Sequence, residues 1–139
     1  MNFADLPYPA IAAAGFAKFA LGGVWYSLLF QKQWLAEQKL SPEEIAVARA
    51  EGGKSPLVIT FLVGFVQVFA LAVVLRAIKS DCVGCAVGTA GMLSVAFAAV
   101  PIGINYLFER RSLRFFAINA GYDLVGLMLA GLILGLWTK

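Results

Sequence analysis

Four long apolar segments constrain the fold of this sequence more than any other feature. They cover residues 10–30, 57–78, 83–107 and 113–137, and each is as long as the roughly 20 residues that a helix needs to cross about 30 Å of hydrocarbon. Apolar residues make up 61% of the chain and charged residues 14%, whereas soluble domains have roughly 45–50% and about 25%. A soluble fold would have too little polar surface to cover this chain. We therefore predict an all-α membrane protein, a single domain over 1–139 with four transmembrane helices in an antiparallel bundle.

The connection between the first and second segments contains a short helix of its own. Ser41 is a suitable N-cap, and Glu44, three residues later, completes a capping box. Gly52 and Gly53 are expected to end this helix, since glycine is common just after a helix. The pattern predicts a short amphipathic helix over about 42–51, which lies along the membrane surface or serves as a solvated linker.

The distribution of Lys and Arg predicts the orientation of the four helices. The connections between the first two segments and between the last two carry seven such residues, and the opposite side carries three. Cytoplasmic loops are enriched in Lys and Arg, so both termini are predicted to lie outside the cytoplasm. The seven are Lys32, Lys39, Arg49, Lys54, Arg110, Arg111 and Arg114, and the three are Arg76, Lys79 and Lys139.

Two charged residues lie well inside the apolar segments, away from the segment ends: Lys18 in the first and Asp123 in the fourth. A charge at the membrane midplane costs about 2.5 to 3.5 kcal/mol even on a lenient scale, so each needs a partner. We predict that they pair inside the bundle and fix the register of the helices. The functional alternative is a proton or ion relay. Gln67 is the most polar residue in the interior of the second segment, away from its ends.

A second polar group surrounds the short turn between the third and fourth segments. Asn105 and Asn119 lie at similar distances from this turn, so their amides are predicted to hydrogen-bond across the hairpin. Arg110 or Arg114 is expected to neutralise Glu109 near the headgroups. The simpler interpretation is a clasp that closes the hairpin. The alternative is a binding site for a polar headgroup or a small solute.

Glycine pairs predict where helices approach closely. Gly84 and Gly88 form one GxxxG pair, and Gly131 and Gly135 form another. Lipid gives helices little hydrophobic drive to associate, so small residues that allow close packing supply much of it. Some of these faces are expected to pack inside the bundle, and one is left for a second copy or a partner protein.

Cys82 and Cys85 form a CxxC motif at the outer start of the third segment. The placement resembles the external cysteine pair of the quinone-linked disulfide bond formation membrane proteins, but this chain lacks their second pair. A disulfide staple or two inert thiols is the simpler interpretation. Histidine is absent, which removes the commonest general base and zinc ligand. We predict no catalytic residue, no metal site and no cofactor.

Four motifs together resemble a known family. They are Gly-Gly-Val-Trp-Tyr-Ser at 22–27, Leu-Ser-Pro-Glu-Glu at 40–44, Asn-Tyr-Leu-Phe-Glu-Arg-Arg at 105–111 and Ile-Asn-Ala-Gly-Tyr at 118–122. In this order they resemble the bacterial integral membrane family called domain of unknown function 1761. The resemblance implies a four-helix integral membrane protein, which we expect in the bacterial inner membrane. It implies no activity, because the family is uncharacterised.

These observations predict a non-enzymatic accessory or structural subunit that acts through helix contacts in a membrane complex or a homo-oligomer. Its expected partners are the lipid bilayer and other transmembrane proteins or further copies of itself. Nucleic acid is not expected, because the basic residues lie in connections between apolar segments. One alternative is an oligomeric carrier of a small solute or ion that uses Lys18, Asn119 and Asp123. A further alternative is a thiol oxidoreductase that uses Cys82 and Cys85.

Overall fold

The structure is a computed structural model that describes residues 5–51 and 54–137. Within these ranges the chain forms helices and turns without strands. The helices are α1 Tyr8–Val24, α2 Gln31–Gln38, α3 Pro42–Glu51, α4 Lys54–Ala77, α5 Val83–Ser94, α6 Val100–Phe108 and α7 Leu113–Trp137. A π-helical turn, Trp25–Leu29, continues α1, and a second, Val95–Ala99, joins α5 to α6.

Four helical stretches are long and apolar enough to cross a membrane. They are Tyr8–Leu29, Leu57–Ala77, Val83–Phe108 and Leu113–Trp137. The predicted all-α membrane fold is therefore confirmed. Helix α2 was not predicted, because its sequence lacks a helical pattern of apolar residues and follows directly on the first span.

The short helix in the first connection begins as the capping box predicts. The backbone N–H of Ser41 donates to Glu44 Oε2 over 2.7 Å, and the backbone N–H of Glu44 donates to Ser41 Oγ over 3.1 Å. These bonds satisfy two amides that the first turn of a helix leaves without partners. Gly52 and Gly53, expected to end α3, lie outside the described residues.

Both π-helical turns lie within spanning segments. Pro101 predicts a local break in the third span, because proline has no N–H and its ring crowds the carbonyl four residues earlier. The turn Val95–Ala99 includes that position, residue 97. A π-helical turn widens the helix by one residue and is one of the recognised causes of a helix irregularity. The turn Trp25–Leu29 has no proline to predict it.

Helix α7 packs against each of the other three spans. Its buried side chains recur at helical spacing, as in Leu127, Ala130 and Leu134. They meet small residues of α1 and α5, including Ala14 and Ala90, in one apolar core. Because α7 lies among the other spans, a polar residue on its buried face can contact all of them.

Candidate functional site

Each spanning helix contributes one polar side chain to a buried cluster. The four residues are Lys18 on α1, Gln67 on α4, Ser94 on α5 and Asp123 on α7. Each lies near the middle of its span. Lys18 is 2% exposed, Ser94 1% and Asp123 8%, which places this polar cluster in the interior of the protein and not toward lipid.

The Asp123 carboxylate is the acceptor that joins the cluster. Its Oδ1 lies 2.9 Å from Lys18 Nζ and accepts a second hydrogen bond from Gln67 Nε2 over 3.0 Å. Its Oδ2 accepts from Ser94 Oγ over 2.9 Å. The ion pair predicted between Lys18 and Asp123 is therefore present, and two neutral side chains add to it.

The Lys18 ammonium also has more than one partner. It donates to Gln67 Oε1 over 2.5 Å, and it lies 5.8 Å from the centre of the Tyr122 ring. The positive and negative charges compensate each other, and every side-chain nitrogen and oxygen of the cluster has at least one hydrogen-bond partner within it. Such pairing makes a buried ion pair tolerable, since an unpaired buried charge is strongly destabilising.

Gly126 makes room for the lysine side chain. An added Cβ at Gly126 would lie 3.1 Å from Lys18 Cγ and 3.2 Å from Cε. Helix α7 thus carries both Asp123, the acidic partner of Lys18, and Gly126, which leaves space for the aliphatic part of the Lys18 side chain. The sequence reason is helical periodicity, since residues three apart share a face.

A second hydrogen-bond network lies nearer the turn between α6 and α7. Tyr26 OH donates to Asn119 Oδ1 over 2.8 Å, and Asn119 Nδ2 donates to Tyr106 OH over 3.0 Å. The predicted bond between Asn105 and Asn119 is wrong. Equal depth in the membrane does not fix the rotation of a helix, and here Tyr106 faces α7 while Asn105 is exposed.

The acidic residue at this turn has a different partner from the predicted ones. Glu109 Oε2 lies 3.2 Å from Arg111 Nε, so the expected neutralisation by Arg110 or Arg114 is wrong. Arg110 has a left-handed backbone with φ of 54°, which turns the chain between α6 and α7. Arg111 lies 5.3 Å from the centre of the Phe115 ring and is thereby held beside Glu109.

The two glycine pairs have opposite surroundings. An added Cβ at Gly131 would lie 2.8 Å from the carbonyl oxygen of Ala86, and one at Gly135 would lie 3.0 Å from Val83 Cα. This pair therefore lets α7 approach the backbone of α5. An added Cβ at Gly84 or Gly88 meets no atom within 4 Å. The Gly84 and Gly88 face is thus free of contacts from the described part of this chain.

The two cysteines form a disulfide at the start of α5. Cys82 Sγ and Cys85 Sγ are bonded at 2.11 Å. The Cys82 sulfur also accepts a hydrogen bond from the backbone N–H of Cys85 over 2.8 Å, so Cys82 caps the helix. The staple interpretation of this motif agrees with the structure.

Two cavities lie at opposite ends of the spans. The first, which we name the charged cavity, has a volume of about 620 Å³. The second, the aromatic cavity, has a volume of about 700 Å³. Residues that line the charged cavity include Asp5, Arg76, Lys79, Asp81, Leu134 and Trp137. Residues that line the aromatic cavity include Phe19, Tyr26, Gln31, Trp34, Gln38 and Tyr122.

A sequence model of one family, described as protein of unknown function (DUF1761), matches residues 9–135. The chain belongs to the DUF1761 family. The match covers nearly all of the four spans and the whole polar cluster, and it agrees with the resemblance that the sequence motifs show. No curated protein and no solved structure matches the chain.

Several site residues of this DUF1761 protein were missed in the sequence. Ser94 bonds the central carboxylate, yet a serine in an apolar helix gives no periodic signal. No contact was predicted for Trp25 and Tyr26, but Trp25 Nε1 donates to the carbonyl oxygen of Ile118 over 3.0 Å. Their position in the motif at 22–27 was the signal that could have marked them as contact residues.

Proposed function

We propose that this DUF1761 protein is a non-enzymatic membrane protein that acts through helix contacts, as a homo-oligomer or as an accessory subunit of a larger membrane assembly. The observation that supports this most is the open face of α5. We define the open α5 face by Gly84, Gly88 and Met92 on α5 and Val95 directly after it, which share one side of the third span and are all exposed.

The packed glycine pair indicates how the open α5 face would be used. At Gly131 the absence of a side chain allows the backbone of a neighbouring helix to come close. Close backbone approach is a main source of helix association in lipid. A helix of a second copy or of another membrane protein could pack on Gly84 and Gly88 in the same manner.

The polar cluster supports a structural role for the rest of the bundle. Its hydrogen bonds join all four spans through Asp123. Because each bond needs a particular rotation of its helix, the cluster favours a single arrangement of the spans. A fixed arrangement keeps the open α5 face on the outside of the bundle.

We place the protein in the bacterial inner membrane with both termini outside the cytoplasm. The excess of Lys and Arg in the connections around α2, α3 and the α6–α7 turn supports this orientation. The aromatic cavity would then lie at the cytoplasmic end and the charged cavity at the outer end.

The proposal is tested by extraction of the protein from its native membrane in a mild detergent, followed by native mass spectrometry. The wild type should co-purify with a second copy or with another membrane protein. Gly88→Leu should abolish this association, since the added side chain meets no atom of its own chain yet occupies the open α5 face. Gly64→Leu is the matched control, because an added Cβ at Gly64 on α4 also meets nothing within 4 Å. A monomeric wild type, or association that Gly88→Leu leaves intact, would contradict the proposal.

A second candidate function is an oligomeric carrier of a small solute or ion. The observation that favours it is the position of the Lys18 and Asp123 pair between the two cavities. A carrier requires the pair to open during transport, so Asp123→Asn would abolish solute uptake by vesicles while association through the open α5 face persists. Loss of association in Asp123→Asn while solute uptake persists would favour the first candidate.

A further inference from the structure

The aromatic cavity has the dimensions of a small-molecule site. Its volume of about 700 Å³ lies within the roughly 300–1,000 Å³ that is usual for ligand pockets. It is bounded by the second half of the first span, by α2 and α3, and by the N-terminal halves of α4 and α7. The connection between the first two spans thus covers one end of the bundle and forms one side of this partly open space.

One wall of the cavity is a continuous set of aromatic rings. The rings of Tyr26 and Trp34 are 5.8 Å apart, and those of Tyr26 and Tyr122 are 5.2 Å apart. Both pairs meet edge to face. Tyr26 is held in place by its hydrogen bond to Asn119, so this wall is preformed. A planar ring is the ligand group that packs best against such a wall.

The polar groups of the cavity are amides and hydroxyls. Gln31 and Gln38 on α2 line it from the loop side, and Ser27 and Asn119 line it from the spans. Among the lining residues that the structure describes, none carries a charge at neutral pH. A charged ligand would lose its hydration without gaining an opposite charge there, whereas a neutral ligand with oxygen acceptors would gain hydrogen bonds.

We infer that the aromatic cavity binds an uncharged, membrane-soluble molecule with a planar ring and hydrogen-bonding oxygen atoms, which is the chemistry of a quinone or a lipophilic phenol. The ring packs against Tyr26, Trp34 and Tyr122, and its oxygens face the glutamines of α2. An apolar tail leaves the cavity past Phe19 and Leu57 toward the hydrocarbon. This inference is independent of the open α5 face, which lies on a different helix.

Binding is measured with decylubiquinone as the probe and tryptophan fluorescence as the signal, on the full chain in lipid nanodiscs. Trp34 lines the aromatic cavity, and Trp137 lines the charged cavity at the other end. Two variants are compared, Trp137→Phe and Trp34→Phe. Both variants also carry Trp25→Phe, because the Trp25 ring centre lies 6.5 Å from that of Tyr122, a lining residue of the aromatic cavity. Quenching should be saturable in Trp137→Phe, which then keeps Trp34 as its one tryptophan. In Trp34→Phe only the non-saturable quenching by probe dissolved in the lipid should remain.

Cavity-filling variants test the location of the site. Gly23 lines the cavity, and an added Cβ there meets no atom within 4 Å, so Gly23→Leu fills the space without displacing its neighbours. Saturable quenching should be lost in this variant and kept in Gly64→Leu. Ala20→Leu, at another exposed lining position, is the second filling variant if Gly23→Leu does not fold. Gly88→Leu should bind the probe as the wild type does, which separates this test from that of the proposed function.

Three results would overturn the inference. Quenching that never saturates in Trp137→Phe would show that the probe only dissolves in lipid. Saturable quenching that survives both filling variants would place the site elsewhere. Displacement of decylubiquinone by dodecanol at equal concentration would show a groove for alkyl chains that does not recognise a ring.

Discussion

Lys18 on α1 and Asp123 on α7 form an ion pair of 2.9 Å among the four spans, and both side chains are buried. The pair does not stand alone, since Gln67 and Ser94 bring the other two spans to the same carboxylate. A single acidic side chain therefore connects the whole bundle. This relationship determines which substitutions the protein should tolerate.

Removal of one charge of the Lys18 and Asp123 pair should destabilise the protein far more than removal of both. Asp123→Leu leaves the Lys18 ammonium buried without an anion, which is expected to lower the free energy of unfolding by about 3–5 kcal/mol. Lys18→Met combined with Asp123→Leu removes both charges and should recover most of that loss. The measurement is a double-mutant cycle by detergent-induced unfolding in mixed micelles. Additive losses in the double variant would show that the two charges do not interact.

Substitution by alanine should change the stability of the protein in opposite directions at the two glycine pairs. Gly131→Ala places a Cβ 2.8 Å from the Ala86 carbonyl oxygen, and overpacking of this kind typically costs about 1–3 kcal/mol. Gly88→Ala meets nothing within 4 Å and should stabilise the monomer by roughly 0.5–1 kcal/mol, since alanine favours a helix over glycine. Thermal unfolding of the detergent-solubilised monomer measures both. Equal destabilisation by the two substitutions would mean that the Gly88 face is packed within the chain.

The sequence predicted the spans and the buried ion pair for clear physical reasons. Hydrocarbon requires long apolar helices, and a charge within them requires a partner of opposite sign. Away from the ends of the segments, Lys18 and Asp123 were the only charges, so each identified the other. The capping box of Ser41 and Glu44 was equally local and was confirmed.

The predictions from the sequence were wrong where the rotation of a helix about its axis decides which side chains meet. Depth in the membrane placed Asn105 opposite Asn119, but a rotation of one residue brings Tyr106 there instead. The same ambiguity hid Ser94 and left open which glycine pair would pack internally. The π-helical turns shift the rotation of everything beyond them, and one of them, Trp25–Leu29, has no proline to reveal it.

The start of α3 should loosen at low pH. The backbone N–H of Ser41 donates to the Glu44 carboxylate, and this bond holds the pKa of Glu44 below its ordinary value of 4.5. A lowered pKa means that the carboxylate stabilises the cap above pH 4.5 and that this contribution is lost as the pH falls through the folded value. Hydrogen exchange at the Ser41 and Glu44 amides, corrected for intrinsic rates, should show less protection at pH 3 than at pH 7. Glu44→Gln should remove this pH dependence, and Glu43→Gln should keep it.

Serine at both cysteine positions should leave helix association unchanged. Cys82→Ser keeps a side-chain atom that can accept the backbone N–H of Cys85, so the cap of α5 is preserved. If the protein acts through helix contacts, Cys82→Ser combined with Cys85→Ser should travel with the same partners as the wild type in native mass spectrometry. Loss of the cellular function with association intact would instead favour a thiol oxidoreductase.

The most direct measurement is cross-linking from the open α5 face in intact native membranes. Gly88→Cys, in a chain with both native cysteines replaced by serine, is labelled with benzophenone maleimide and irradiated; Gly64→Cys is treated in the same way. We expect a protein adduct from position 88, at twice the 14.9 kDa chain mass for a second copy or at another mass for a different membrane protein. From position 64 we expect lipid adducts. Lipid adducts alone from both positions would contradict the claim that this protein works through contacts on that face.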